Sequence, residues 1–428
     1  MKTHFTLLFL IFFVSTNAQV WEDNLLNNNP NAGITEKADA FDNYRAKVEY
    51  TKGNGYKPYA RNLDFILQRT SDGKGIPNGK FYTEWLKEKK RFDQHKSTSN
   101  SNWTELGPIN TPIILSNGKK RGNGRINCIA FDPFDKEKIW VGSPGGGLWS
   151  SPDGGNTWST NTDGLPVIGV SYIAINPIDP QEMYITTGDA HASDTYSIGI
   201  LKSNDGGQTW DTTGMQFAVT DDKMVNKVII HPTFTDSLFA VTDNNIKISP
   251  DGGQTWSNAL STSGSVLSGY FRDIEFKPNN PNILYAVKQT TGSSQVYKSS
   301  DRGQTWSVAM NGISTVNRNR PLLAVTPANP DAVYVLFCKN DYGFHGIYKS
   351  TDNADSWTLQ SDSPNILGRN TDGTSTGGQS WYDLSLGVST EDEDLLYVGG
   401  INLWRSTDGG ISWNISGSSG NGSSYSYM

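Results

Sequence analysis

Ten consecutive residues gather two carboxylates, a histidine and a tyrosine: Gly188-Asp189-Ala190-His191-Ala192-Ser193-Asp194-Thr195-Tyr196-Ser197. Two carboxylates, an imidazole and a phenol in one run suit general acid–base work. A further carboxylate, Asp383, follows Trp381 and Tyr382. Glycoside cleavage needs two carboxylates ~5–10 Å apart, so one reading makes Asp189 or Asp194 the general acid with Asp383 as its partner. The other reading is structural: Asp189 and Asp194 cap turns in a long loop, and Asp383 accepts from backbone N–H groups. Metal chemistry has less behind it. His4, His95, His191, His231 and His345 are scattered, none with a His or Cys partner at ligand spacing. A Ca²⁺ ion on loop carboxylates has no motif to support it, and no cofactor is expected. Neither a phosphate loop nor a Gly-x-Ser-x-Gly elbow occurs.

The elements that would position these residues are set by a repeat. Ser151-Pro152-Asp153-Gly154-Gly155-Asn156-Thr157-Trp158 returns in related form from Ser203, Ser249, Ser299, Ser350 and Ser406, at spacings of 52, 46, 50, 51 and 56 residues. Such a period marks a repeat architecture. Within each copy the acid (Asp153, Asp205, Asp251, Asp301, Asp352 or Asp408) can accept backbone N–H groups two or more residues on. Gly supplies positive φ, and Trp is an apolar plate that locks the turn. These six carboxylates therefore read as structural. The fifth copy has Ala354 for Gly and Ser356 for Thr, which predicts a looser turn. Before each copy lie short apolar strands such as 129–131, 138–142 and 147–149, bounded by Gly, Pro and Asp. Three strands plus the one entered through the motif make four, which is one propeller blade.

Ser-x-Asp-x-Gly-x-Thr-Trp resembles the Asp-box, or BNR repeat, of sialidase-like and sortilin-like β-propellers. The resemblance covers residues 124–415 or so. It implies an all-β propeller of four-stranded blades, with six Asp-box turns at the outer edge and ligands met at the channel mouth. There the innermost strands begin and the second and third strands of each blade connect. That puts Arg125, Arg272, Arg320, Asp189, His191, Asp194, Tyr196, Trp381, Tyr382 and Asp383 on one face. A sialidase is disfavoured: Phe271-Arg272-Asp273-Ile274 is the one echo of its Phe/Tyr-Arg-Ile-Pro motif, and it lies in the fourth unit without the Pro. A three-arginine clamp on an anionic ligand stays open. The sortilin-like reading is a binding module for a glycan or an extracellular protein, anchored by Tyr196, Tyr270, Trp381 and Tyr382. The alternative is a glycoside hydrolase, since xyloglucanase-like propellers use paired aspartates across a channel.

A net charge of −7 and pI ≈ 5.3 argue against a nucleic-acid partner. Residues 1–18 read as a signal peptide: Lys2 and His4, then an apolar run too short to span a bilayer, then Ala18 at a cleavage site. The mature protein is thus expected to be secreted or at the cell surface, with no membrane insertion. Residues 19–100 read as a partly disordered, mostly helical extension. Its candidate helices lie at 36–50, around Leu63 to Leu67 and at 81–92, the last carrying Lys87, Lys89, Lys90 and Arg91 on a solvated face. Residues 101–416 form the propeller, with 103–107 as a strand that helps close it. Cys128 and Cys338 fall in different units and read as free, buried thiols. The Gly/Ser-rich end, 417–428, reads as a truncation, because exported type IX secretion substrates that the chain resembles continue with further blades and a sorting domain.

Overall fold

Each repeat serine ends the third strand of a blade, and its hydroxyl fastens the turn that follows. In the third copy Ser249 Oγ donates to Asp251 Oδ1 (2.9 Å) and accepts from the Gly253 N–H (2.9 Å). Asp251 then accepts from the Thr255 N–H (2.8 Å) and the Thr255 hydroxyl (2.6 Å). The same bonds recur in the other five copies, first to last. They favour the ionised carboxylate, pulling Asp205 and Asp352 down to about 2. The fifth turn is not looser. Ala354 adopts φ 63° and still donates to Ser350 Oγ (2.9 Å), while Ser356 keeps the hydroxyl bond to Asp352 (2.5 Å). The turn needs a hydroxyl and a left-handed residue, and here the added methyl packs among Tyr285, Val287 and Trp357. What changes is the indole: Trp357 donates to Ala309 O (3.0 Å), whereas Trp256 and Trp306 bond the Gly carbonyl of their own turn.

The computed structural model describes residues 32–47, 124–191 and 195–417, with isolated positions between 25 and 91. The leader at 1–18, the linker, the strand at 103–107, Asp194 and residues 418–428 lie outside the described residues. In the amino-terminal unit one helix, Ile34–Arg45, buries Ile34 and Phe41. Positions 60, 61, 63 and 64 and positions 84, 87, 88, 90 and 91 are also helical, and Lys87–Glu84 and Arg91–Glu88 pair on exposed faces.

The second unit holds six antiparallel blades whose strands follow chain order from the innermost outward. The innermost strands are Cys128–Phe131, Val170–Ile175, Val225–Ile230, Tyr270–Phe276, Pro321–Val325 and Ser385–Val388. Blade 4 gains a fifth, short strand, Leu260–Ser261, paired in parallel with its outer edge. Five apolar clusters fill the five interfaces between successive blades. Phe239, Phe271 and Trp306, for example, join blades 3 and 4. No such cluster joins blades 6 and 1 among the described residues; Ile129 and Phe131 on the first innermost strand are 58% and 54% exposed. Both thiols are free; Cys338 is buried, and burial raises the Cys128 pKa to about 12.

Candidate functional site

Loops at one end of the innermost strands carry the reactive side chains. Arg125 stands just before the first innermost strand, Arg320 just before the fifth, and Trp381 to Asp383 before the sixth; Arg272 is the third residue of the fourth. Asp189 and His191 come from the loop between the second and third strands of blade 2. The fold gathers them. Arg125 pairs with Asp189 and lies over the Tyr382 ring, 4.2 Å from its centroid. Arg320 donates to the carbonyls of Trp381 (2.7 Å) and Ser380 (3.1 Å) and to His191 Nδ1 (2.6 Å). Arg272 donates to Ala190 O and to Gln289 Oε1 (2.5 Å) and covers Tyr270 at 4.2 Å. The Trp381 indole is exposed and tilts 5.3 Å from Tyr382. Tyr196 is exposed, with no contact to the arginines among the described residues.

Asp189 and Asp383 differ in their surroundings. Asp189 is fully buried, and its oxygens are taken up by Arg125, the His191 N–H (3.0 Å) and Asn127 (3.4 Å). In this arrangement Asp189 is the charge partner of Arg125 and caps the turn at His191. Asp383 is half-buried, with Oδ1 enclosed and unpartnered. Burial raises its pKa to about 6, against the attraction of Arg320 and Arg125. His191 is held neutral by burial and by Arg320, Arg272 and Arg125. It must then accept from Arg320 through Nδ1, which leaves the proton on Nε2. Arg320 itself falls to about 9, chiefly through burial and next through Arg272.

Below the mouth lies a cavity of about 280 Å³, lined by His191, Arg272, Arg320, Asn127 and Asn226 above and by Lys227, Asp273 and Glu275 below. Lys227 of blade 3 bonds Asp273 (2.8 Å) and Glu275 (2.6 Å) of blade 4 and lies over Tyr172. Burial opposes the lysine's charge, but the two carboxylates outweigh it and hold the pKa well above normal. No group of three or more His, Cys, Asp or Glu could hold a metal ion among the described residues.

Comparison with known proteins gives this architecture a family setting. The family model described as sortilin, neurotensin receptor 3, matches residues 244–370. A xyloglucanase from a Paenibacillus species is 26% identical over 333 residues, covering 68% of this chain and 31% of that protein. One from Acetivibrio thermocellus is 24% identical over the same length, covering 38% of it. The crystal structure of the GH74 xyloglucanase from Xanthomonas campestris superposes with TM-score 0.51 at 16% identity, over 69% of this chain and 45% of that one. The GH74 enzyme of Niastella koreensis gives 0.51 at 20% identity, over 70% and 46%. The chain is a six-bladed propeller similar to those of sortilin and the xyloglucanases. This propeller spans about a third of the length of the curated relatives it matches. The solved structures, at such identities, show its fold. No helix among its described residues is long and apolar enough to cross a membrane.

Sequence reasoning missed the Lys227–Asp273–Glu275 network in this propeller. A signal existed: Lys227 interrupts the apolar run of Val225–Ile230, and Asp273 and Glu275 sit two apart on Tyr270–Phe276, hence on one face.

Proposed function

We propose that this propeller acts on a glycan at the arginine-lined mouth and cleaves a glycosidic bond with Asp383 as general acid. One observation carries the reading: a carboxyl group raised to about 6, with Oδ1 unpartnered, that follows the paired Trp381 and Tyr382 rings in the same loop. A carboxyl with that pKa keeps its proton often enough near neutrality to protonate a leaving oxygen. Exposed indole and phenol faces suit sugar rings. The xyloglucanase relatives make a β-glucan such as xyloglucan the first substrate to try. The leader-like segment at 1–18 suits an extracellular polymer.

A second reading, glycan binding without turnover, is favoured by Asp189. With that carboxylate committed to Arg125, no ion-paired or hydrogen-bonded second carboxylate stands opposite Asp383 among the described residues. The test is reducing-end release from xyloglucan and a panel of polysaccharides, with binding measured alongside. Under the hydrolase reading Asp383→Asn should keep binding and lose roughly 10²–10⁴ in turnover, and wild-type turnover should decline as pH rises above 6. Binding with no release selects the second reading. An absence of binding to every glycan overturns both and directs attention to a protein partner.

A further inference from the structure

Burying a guanidinium is costly unless a carboxylate or other anion compensates its charge. Arg125 has Asp189. Arg272 and Arg320 have no ion-paired carboxylate among the described residues; all their hydrogen-bond partners are neutral. Those partners are the Gln289 amide, three backbone carbonyls and the uncharged His191. Arg320 is 2% exposed, and the two cations repel one another across the cavity they both line. Arg320 Nε is buried with no acceptor, as are Nε and Nη1 of Arg125. On the same cavity wall, Asn127 Oδ1 and Asn226 Oδ1 are buried with no donor. The cavity wall thus presents an unspent cationic donor, Arg320 Nε, together with unspent neutral acceptors.

We propose that it binds an acidic sugar, the uronate residue of a glycan, with its carboxylate between Arg272 and Arg320 and its hydroxyls donating to Asn127 and Asn226. Guanidinium groups pair with carboxylate oxygens in a fixed planar geometry. A small inorganic anion would compensate the arginines but is too small to reach both asparagines, and a neutral sugar would leave the guanidinium charges uncompensated. A uronate supplies both functions. About 280 Å³ sits at the lower end of ligand-pocket sizes and suits a single ring. The inference rests on the glycan reading of this mouth and narrows its ligand, but it does not require hydrolysis.

Calorimetric titration of the full chain with D-glucuronate, D-glucose and inorganic phosphate tests it. Glucuronate should bind saturably, at least tenfold more tightly than glucose or phosphate, and more weakly as salt rises. Arg272→Gln and Arg320→Gln should each weaken glucuronate tenfold or more. Arg320 also ties the 380–381 loop, so if its variant fails to fold, Arg272→Gln and Asn226→Ala carry the test, the latter leaving phosphate binding unchanged. Glucose binding as tightly as glucuronate, phosphate binding more tightly than either, or unchanged glucuronate affinity in the Arg272 variant would overturn the proposal. The arms separate the two readings. Turnover of neutral xyloglucan without uronate preference keeps the hydrolase and removes the acidic ligand; uronate binding with no polymer cut does the opposite.

Discussion

Burial raises the pKa of Asp383 to about 6, and the attraction of Arg320 and Arg125 offsets it only in part. The native state then holds this proton more tightly than the unfolded chain, whose Asp titrates near ~3.9. Between those two values stability falls as pH rises, and above about 6 the whole penalty is present. The two-unit shift corresponds to about 3 kcal/mol, which solvent screening at a half-buried site reduces to about 1 kcal/mol. Asp383→Asn should therefore match the wild type in thermal melts at pH 4 and exceed it at pH 7. Parallel profiles would mean an ordinary ionised carboxylate and would remove Asp383 as an acid. The sequence displayed Asp383 beside two aromatic residues, and so its candidacy. Its titration was hidden, because it is set by burial in the folded propeller, which no local run of residues shows. Asp189 was hidden in the same way, since the role of its carboxylate depends on Arg125, far off in the chain.

The repeat turn was the most legible element because each bond of its serine and aspartate side chains reaches no more than four residues along the chain. Its one misreading concerned Ala354, where sequence showed a missing glycine but not the room left for a methyl. The fourth copy lacks that room. A Cβ on Gly303, at φ 75°, would meet Phe239 Cε1 at 2.5 Å. Gly303→Ala should cost about 2–5 kcal/mol, combining about 1–2 for left-handed strain with about 1–3 for overpacking. The reverse change, Ala354→Gly, relieves similar strain but forfeits a buried methyl worth about 0.8 kcal/mol, so it should stay within about 1 kcal/mol of the parent. Urea unfolding of both variants checks this. Equal costs would show that the turn itself, and not the neighbouring blade, chooses the residue.

At the scale of the whole molecule, blades are legible one by one, while what joins them is not. Strand alternation and turn spacing are local signals, but Lys227 meets Asp273 and Glu275 across a blade boundary. The apolar interfaces likewise pair residues from successive units. These interfaces should carry most of the stability, and unequally around the propeller. Phe239 is 1% exposed between blades 3 and 4. Phe239→Ala should cost about 3–5 kcal/mol through lost burial and the cavity left behind. Phe131 belongs to the innermost strand of blade 1, yet is 54% exposed, so Phe131→Ala should stay within about 0.5 kcal/mol of the parent. The pair of melts measures whether blade 1 is sealed on that side. If Phe131→Ala proves as costly as Phe239→Ala, its ring is covered in solution, and the five apolar interfaces do not account for the fold. If its effect is small, those five interfaces hold the propeller, and contacts at the mouth, Arg125 over Tyr382 among them, tie blade 1 to blade 6.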